Sequence, residues 1–268
     1  AAEQATPGAS TLLVGLLDKI GTLGMIRICL GLFPQASQWA TPFVLVLAVI
    51  SVLWGATMAV TSKDLMRLVS YTSVSHFGFM IIGIFAVTTT SLTGSIFYMF
   101  NHGFSTAALF LVLGFLVKRR GSAQVDAFGG VQKTAPVLAG MFLFAGLATM
   151  SLPGISNFIG EFMVLAGAWS RHPVYVAVAT LGMVLGAVYI LLTYKRTMTG
   201  PLTQATKAHV TTDLTGLEKA ALTPLVILLL VFGFFPRPML HVIEPVAHQT
   251  MSIVGVTDPA PAAEEGVK

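Results

Sequence analysis

The chain has 268 residues, of which 55% are hydrophobic and only 10% charged, with a net charge of +4. Soluble domains carry about 25% charged residues, so this composition is that of a membrane protein, and the small basic excess gives no reason for a nucleic-acid partner. The single cysteine, Cys29, excludes an internal disulfide and any thiol-built metal site or iron–sulfur cluster held within this chain.

The opening Ala1-Ala2-Glu3-Gln4-Ala5-Thr6-Pro7-Gly8 has neither an initiator Met nor a signal peptide and reads as part of a loop inside a longer polypeptide. About 20 apolar residues cross a bilayer as helix. Runs of that kind occupy 10–34, 40–61, 65–89, 92–117, 136–170, 174–194 and 217–236. The predicted fold class is an all-α, polytopic transmembrane helix bundle of about seven spans, filling residues 1–240, with a polar tail over 241–268. The last part of that tail, from Asp258-Pro259-Ala260 to Glu264-Glu265, has the Pro/Ala-rich, polar composition of disorder.

Several of these runs carry groups that lipid does not tolerate. The first holds Lys19, in Leu16-Leu17-Asp18-Lys19-Ile20-Gly21. The third holds His76, in Tyr71-Thr72-Ser73-Val74-Ser75-His76-Phe77-Gly78, and the fourth holds His102, in Phe100-Asn101-His102-Gly103-Phe104-Ser105-Thr106. The fifth run, 136–170, is too long for one plain helix and carries Leu152-Pro153-Gly154 in its middle. An interruption near Pro153–Asn157 is expected there, with Glu161 just beyond it. Breaks at membrane depth free backbone polar groups and persist only inside protein or along a wet cavity; paired with an ionisable residue they are a recurring transporter device.

Loop charges fix the number of crossings. With 136–170 as one span, Lys63, Arg67, Lys118, Arg119, Arg120, Lys133, Lys195, Arg196, Lys207 and Lys219 share one side, and only Arg171, Arg237 and Lys268 lie on the other. Splitting the run in two would scatter the 195–219 cluster and spoil this positive-inside pattern. The basic side is cytoplasmic and the C-terminal tail falls on the outer side.

A charge at the centre of a spanning helix costs about 2.5 to 3.5 kcal/mol on insertion scales. Desolvation disfavours the charged form of any ionisable group, and histidine already titrates between about pH 5 and 8. A series of Lys19, His76, His102 and Glu161 is therefore suited to load and pass protons. Thr72 and Ser73 fall on the His76 face of a helix, and Ser105 and Thr106 on the His102 face. Each residue also admits a structural reading: Lys19 paired with Asp18, Glu161 in an ion pair or capping a half-helix, the histidines as hydrogen-bonded packing groups.

The stretches Gln4–Gly8, Leu17-Asp18-Lys19-Ile20-Gly21-Thr22, Tyr71–Gly78, Asn101-His102-Gly103-Phe104-Ser105-Thr106-Ala107-Ala108-Leu109-Phe110 and Leu152-Pro153-Gly154 through Gly160-Glu161-Phe162 together resemble the antiporter-like membrane subunits of respiratory complex I, the NADH:quinone oxidoreductase. The resemblance runs to about residue 240. It implies fourteen transmembrane helices in the whole family member, two inverted repeats with a broken helix in each, and this chain as the C-terminal half. It also implies proton transfer through Lys19, His76, His102 and Glu161, and no cofactor in this chain, with redox chemistry left to other subunits. Its implied partners are other membrane subunits of complex I, neighbouring antiporter-like subunits among them, and the lipid of a bacterial inner membrane. Met66 stands where family members often have a lysine, and Asp18 where an apolar residue is common. The alternatives are a subunit of a multi-subunit sodium/proton antiporter and one of a membrane-bound energy-converting hydrogenase.

Overall fold

The computed structural model describes residues 5–258. Among them the chain is helical almost throughout. It opens with α1 (Pro7–Leu12), a π-helical segment (Leu13–Leu17), α2 (Asp18–Gly24) and a second π segment (Met25–Leu30), all in one continuous rod. There follow α3 (Pro34–Thr61), α4 (Leu65–Phe85), α5 (Thr89–Arg120), α6 (Pro136–Thr149), α7 (Ser156–Trp169), α8 (Pro173–Met198), the short α9 (Gln204–His209), α10 (Gly216–Phe234) and α11 (Arg237–Val254). Five of these, α3, α4, α5, α8 and α10, are each long and apolar enough to cross a membrane. The rod before α3 and the α6–α7 pair occupy the other two runs expected as spans.

Helix ends follow local chemistry. Asp64 accepts from the amides of Met66 and Arg67 and caps α4, Thr88 caps α5 through the Ser91 amide, and Gly121 at φ 71° closes α5. Thr215 and Glu218 form a reciprocal capping box at the start of α10. At the end of α5, Arg119 donates to both carboxylate oxygens of Glu218, at 2.9 and 2.6 Å, and to the carbonyls of Thr212 and Asp213. Asp213 in turn accepts from the amides of Val137 and Leu138 at the start of α6. One guanidinium thus ties α5 to α10 and, through Asp213, to α6.

The centre of the bundle is α4 and α5, the most enclosed of the spans, while α10 lies at the edge. Small residues bring these helices close. A Cβ on Gly160 of α7 would stand 2.7–2.9 Å from the Cβ, Cα and N atoms of Tyr98 on α5. One on Gly55 of α3 would meet the Ser75 amide at 2.6 Å. The contacts are backbone against backbone, which is why a hydroxyl or imidazole on one helix reaches the next directly.

The stretch from 241, expected as a polar tail, is instead helical as far as Val254. It buries Ile243, Ala247, Thr250, Met251 and Val254 along one face, and Gly255 at φ 74° ends it. Averaged hydropathy hides this one-sided pattern, since Glu244, His241 and His248 lie between the apolar positions. Asp258, the last described residue, accepts from the Thr89 amide at 2.8 Å and so meets the start of α5. The remainder of the expected tail, 259–268, lies outside the described residues.

Candidate functional site

α6 and α7 are separated by residues 150–155, where the interruption was expected. Two turns of the backbone carry it: Ser151 at φ 57° and Gly154 at φ 94°. Leu152 donates to Leu147 O and Ile155 to Leu152 O, so the helical ladder stops and restarts within six residues. α10 supports the break, for a Cβ on Gly233 would sit 2.9 Å from Ile155 Cα. Glu161 lies in the second turn of α7 and is 2% exposed.

Glu161 is held by two hydroxyls. Tyr98 on α5 donates to its Oε2 at 3.1 Å, and Ser151, from within the break, donates to the same oxygen. The Tyr98 hydroxyl also hydrogen-bonds with Nδ1 of His76, on α4. Nε2 of His76 faces the hydroxyl of Tyr189, on α8, at 3.3 Å. His76 is thus flanked on its two ring nitrogens by two tyrosines from two other helices.

The second histidine stands beside the first, with ring centroids 5.2 Å apart. Nδ1 of His102 accepts from Lys19 Nζ at 2.9 Å, and Nε2 lies 3.1 Å from Thr106 Oγ1. With Lys19 donating, His102 is neutral with its proton on Nε2, directed at Thr106. Ser73 Oγ is a more distant neighbour of the same nitrogen, at 3.5 Å.

Lys19 owes its position to the π segment. A π turn releases the carbonyl of the residue it bypasses, and Lys19 Nζ donates to Val14 O, five residues back, at 2.7 Å. The ammonium also lies 5.3 Å from the centroid of the Phe77 ring, a cation–π contact. Asp18 is exposed, and it lines a cavity beside the row together with Val14, Ser73 and Phe77.

Lys19, His102, His76 and Glu161, taken from four separate runs of sequence, therefore form one row, with Tyr98 completing it. Of the hydroxyls expected around the histidines, Thr106 and Ser73 serve His102 and not His76, while Thr72 bonds its own helix at Val69 O. Ser105 donates to His102 O and accepts from Asn157 Nδ2 at 2.8 Å, joining α5 to the first turn of α7. Asn157 Oδ1, Ser156 Oγ and Asn101 Oδ1 are buried and have no protein partner, a pattern that ordered water satisfies in buried polar sites.

Sequence reasoning missed Tyr98, Tyr189 and Ser151. Tyr98 is four residues before His102 on one helix face, a spacing that could have exposed it; Tyr189 sits in an apolar run with no such neighbour. Among the described residues, no cluster of three or more His, Cys, Asp or Glu could hold a metal ion.

The profile of the family described as NADH:quinone oxidoreductase/Mrp antiporter, transmembrane, matches residues 1–186. The NADH-quinone oxidoreductase subunit M of Mycobacterium tuberculosis is 48% identical over 267 residues, covering 100% of this chain and 48% of the relative. A chain in the structure of respiratory complex I from Thermus thermophilus with bound NADH superposes with a TM-score of 0.86 at 30% identity, over 94% of this chain and 52% of that one. A chain of the Mrp complex from Dietzia sp. DQ12-45-1b shares the fold at 20% identity, with a TM-score of 0.83, over 95% of this chain and 56% of that one. The chain spans about half the length of the curated relatives it matches.

Proposed function

The chain belongs to the NADH:quinone oxidoreductase/Mrp antiporter transmembrane family, and from that premise we propose that it is the proton-translocating part of a membrane subunit of NADH:quinone oxidoreductase. The observation that carries this reading is the row Lys19, His102, His76, Tyr98 and Glu161, three cationic or titrating groups and a carboxylate joined by hydrogen bonds and by one contact between the two imidazole rings. A lysine, a carboxylate and two imidazoles brought together inside a bundle cost stability unless paired, and this set pairs with itself, with hydroxyls and, at Lys19, with the Val14 carbonyl. The identity to subunit M of a bacterial oxidoreductase supports the assignment to that enzyme over its fold relatives.

Lys19 loads and releases a proton at the end of the row, where its ammonium donates to His102. The two histidines exchange it across the 5.2 Å between their rings by way of water. Glu161, neutral or ionised according to the state of His76, receives it beside the break. This chain supplies no redox centre in that scheme. Electron transfer belongs to other subunits of the enzyme, and neighbouring antiporter-like subunits are its partners in the membrane. The host membrane is the bacterial inner membrane, with the basic loops cytoplasmic.

The test uses the full-length subunit in its assembled complex, in inverted membrane vesicles. Glu161→Gln is made, and NADH oxidation and proton uptake are followed together at matched levels of complex. Proton uptake per NADH oxidised is expected to fall. Unchanged pumping and turnover would make Glu161 a structural group and remove the basis of the assignment. Transport that requires sodium in place of protons would move the chain to the sodium/proton antiporters.

A further inference from the structure

The four ionisable groups do not form a continuous path by themselves. No direct hydrogen bond joins either histidine to Glu161 among the described residues; the link runs through one phenolic oxygen. From this geometry we infer that Tyr98 is an obligatory relay residue, passing the proton between His76 and Glu161 through its hydroxyl. The inference rests on the proton-transfer reading above and adds a residue to it.

A tyrosine hydroxyl has one proton to give and lone pairs to accept with. At Tyr98 both capacities are engaged at opposite ends: His76 Nδ1 on one side, Glu161 Oε2 on the other. When His76 is charged it carries N–H on both nitrogens, so its Nδ1–H points at Tyr98 while Tyr98 donates to the carboxylate. In a concerted transfer the His76 Nδ1–H bond breaks as the new O–H bond forms on Tyr98, and the old Tyr98 O–H bond breaks as the O–H bond of Glu161 forms. One proton leaves His76 and one arrives on Glu161. Tyr98 is neutral before and after, so no phenolate is created in the apolar interior.

His76 is left neutral with its proton on Nε2, facing the Tyr189 hydroxyl, which can accept it as a hydrogen bond. The Tyr98 proton now points at the bare Nδ1. Resetting requires only rotation of the hydroxyl about its C–O bond, with no movement of the ring. The ring is 0% exposed, and the close approach of Gly160 to the Tyr98 backbone holds α5 and α7 at the spacing that this bridge needs. Ser151 meanwhile keeps Oε2 turned toward Tyr98 by donating to the same atom.

The experiment compares three forms of the full subunit in assembled complex, in inverted vesicles, with proton uptake per NADH oxidised normalised to assembled enzyme. Glu161→Gln tests the underlying reading. Tyr98→Phe removes one oxygen and keeps the ring. In the third form Tyr98 is replaced, by site-specific incorporation, with a fluorinated tyrosine that keeps its shape and hydroxyl but is a stronger acid. Tyr98→Phe is expected to lower pumping by about tenfold or more, the scale of losing one positioned proton-transfer group, and fluorotyrosine, a better donor and a poorer acceptor, to change the pumping rate at fixed pH. Pumping lost in Glu161→Gln but kept in Tyr98→Phe would overturn the tyrosine relay and leave the functional reading standing. Pumping kept in Glu161→Gln would overturn both. If Tyr98→Phe fails to assemble, the fluorotyrosine form decides: a changed pumping rate at fixed pH and normal assembly supports the relay, and an unchanged one overturns it.

Discussion

Lys19 bonds to His102, on a helix 83 residues further along the chain, and not to Asp18, its neighbour in sequence. The geometry of a helix explains the choice. Adjacent residues point about 100° apart, and Val14 O, in the π segment before Lys19, accepts from its ammonium on the bundle side. The pair is therefore part of the row across the bundle, while Asp18 lines the cavity beside it with Val14, Ser73 and Phe77.

Substitutions at these two adjacent positions should separate sharply. Lys19→Met is expected to reduce proton uptake per assembled complex by about tenfold or more, equivalent to ~1.4 kcal/mol or more on the rate-limiting barrier. Asp18→Asn is expected to leave it close to wild type. Parallel uptake traces in inverted vesicles check this, and equal losses at both positions would show that Lys19 acts through Asp18.

Gly160→Ala changes no polar group, yet it should impair the same function. The added methyl meets the Tyr98 backbone at 2.7–2.9 Å, so α7 must move off α5 and carry Glu161 away from the Tyr98 hydroxyl. Overpacking of this kind costs about 1–3 kcal/mol. Both the thermal inactivation midpoint and proton uptake are expected to fall; a variant with normal pumping would mean that the bridge tolerates a wider spacing.

Ser151 combines a side-chain bond to Glu161 with a backbone at φ 57°, a region that costs a residue other than glycine about 1–3 kcal/mol. Ser151→Ala loses the bond and keeps the strain. Ser151→Gly loses the bond and relieves it. The glycine variant should be the more heat-stable of the two, with pumping reduced in both. The reverse order of inactivation temperatures would show that the left-handed turn is not strained.

Arg119 offers a control on assembly. It makes charge-assisted bonds to Glu218 and reaches the carbonyls of Thr212 and Asp213, far from the row. Such bonds contribute about 1.5–3 kcal/mol, so Arg119→Ala should lower the amount of assembled complex on native gels. Lys cannot reproduce the two-pronged contact, so Arg119→Lys should rescue only part. Pumping per assembled complex should stay normal in both, and a selective pumping loss would contradict the separation of anchor and row.

Lys19, His76, His102 and Glu161 were legible because each is an ionisable group in an apolar run, where desolvation makes it conspicuous. The break was legible from Pro153-Gly154 in a run too long for one helix. Tyr98 and Tyr189 were not, because a tyrosine in an apolar helix looks like packing until a partner three-dimensionally opposite is known. Nothing in the residue pattern ties the Ser151 hydroxyl to Glu161, ten residues on. The π segments leave no trace in residue pattern, since they differ from α only in which carbonyl each amide finds. α11 was obscured because its apolar face is diluted by Glu244, His241 and His248.

His76 and His102 lie near the middle of their helices, Lys19 near the middle of the rod that precedes α3, and Glu161 just past the break in its own run. The row consequently runs across the bundle and not along its axes. Moving a charge through the full membrane voltage involves work of ~2.3 kcal/mol per 100 mV, but a step taken sideways at constant depth involves almost none. On the proposed proton-transfer reading, transfers between Lys19 and Glu161 would be electrically nearly silent and could run in either direction whatever the voltage. The electrical work would then fall on the vertical steps that bring protons to the two ends of the row and take them away.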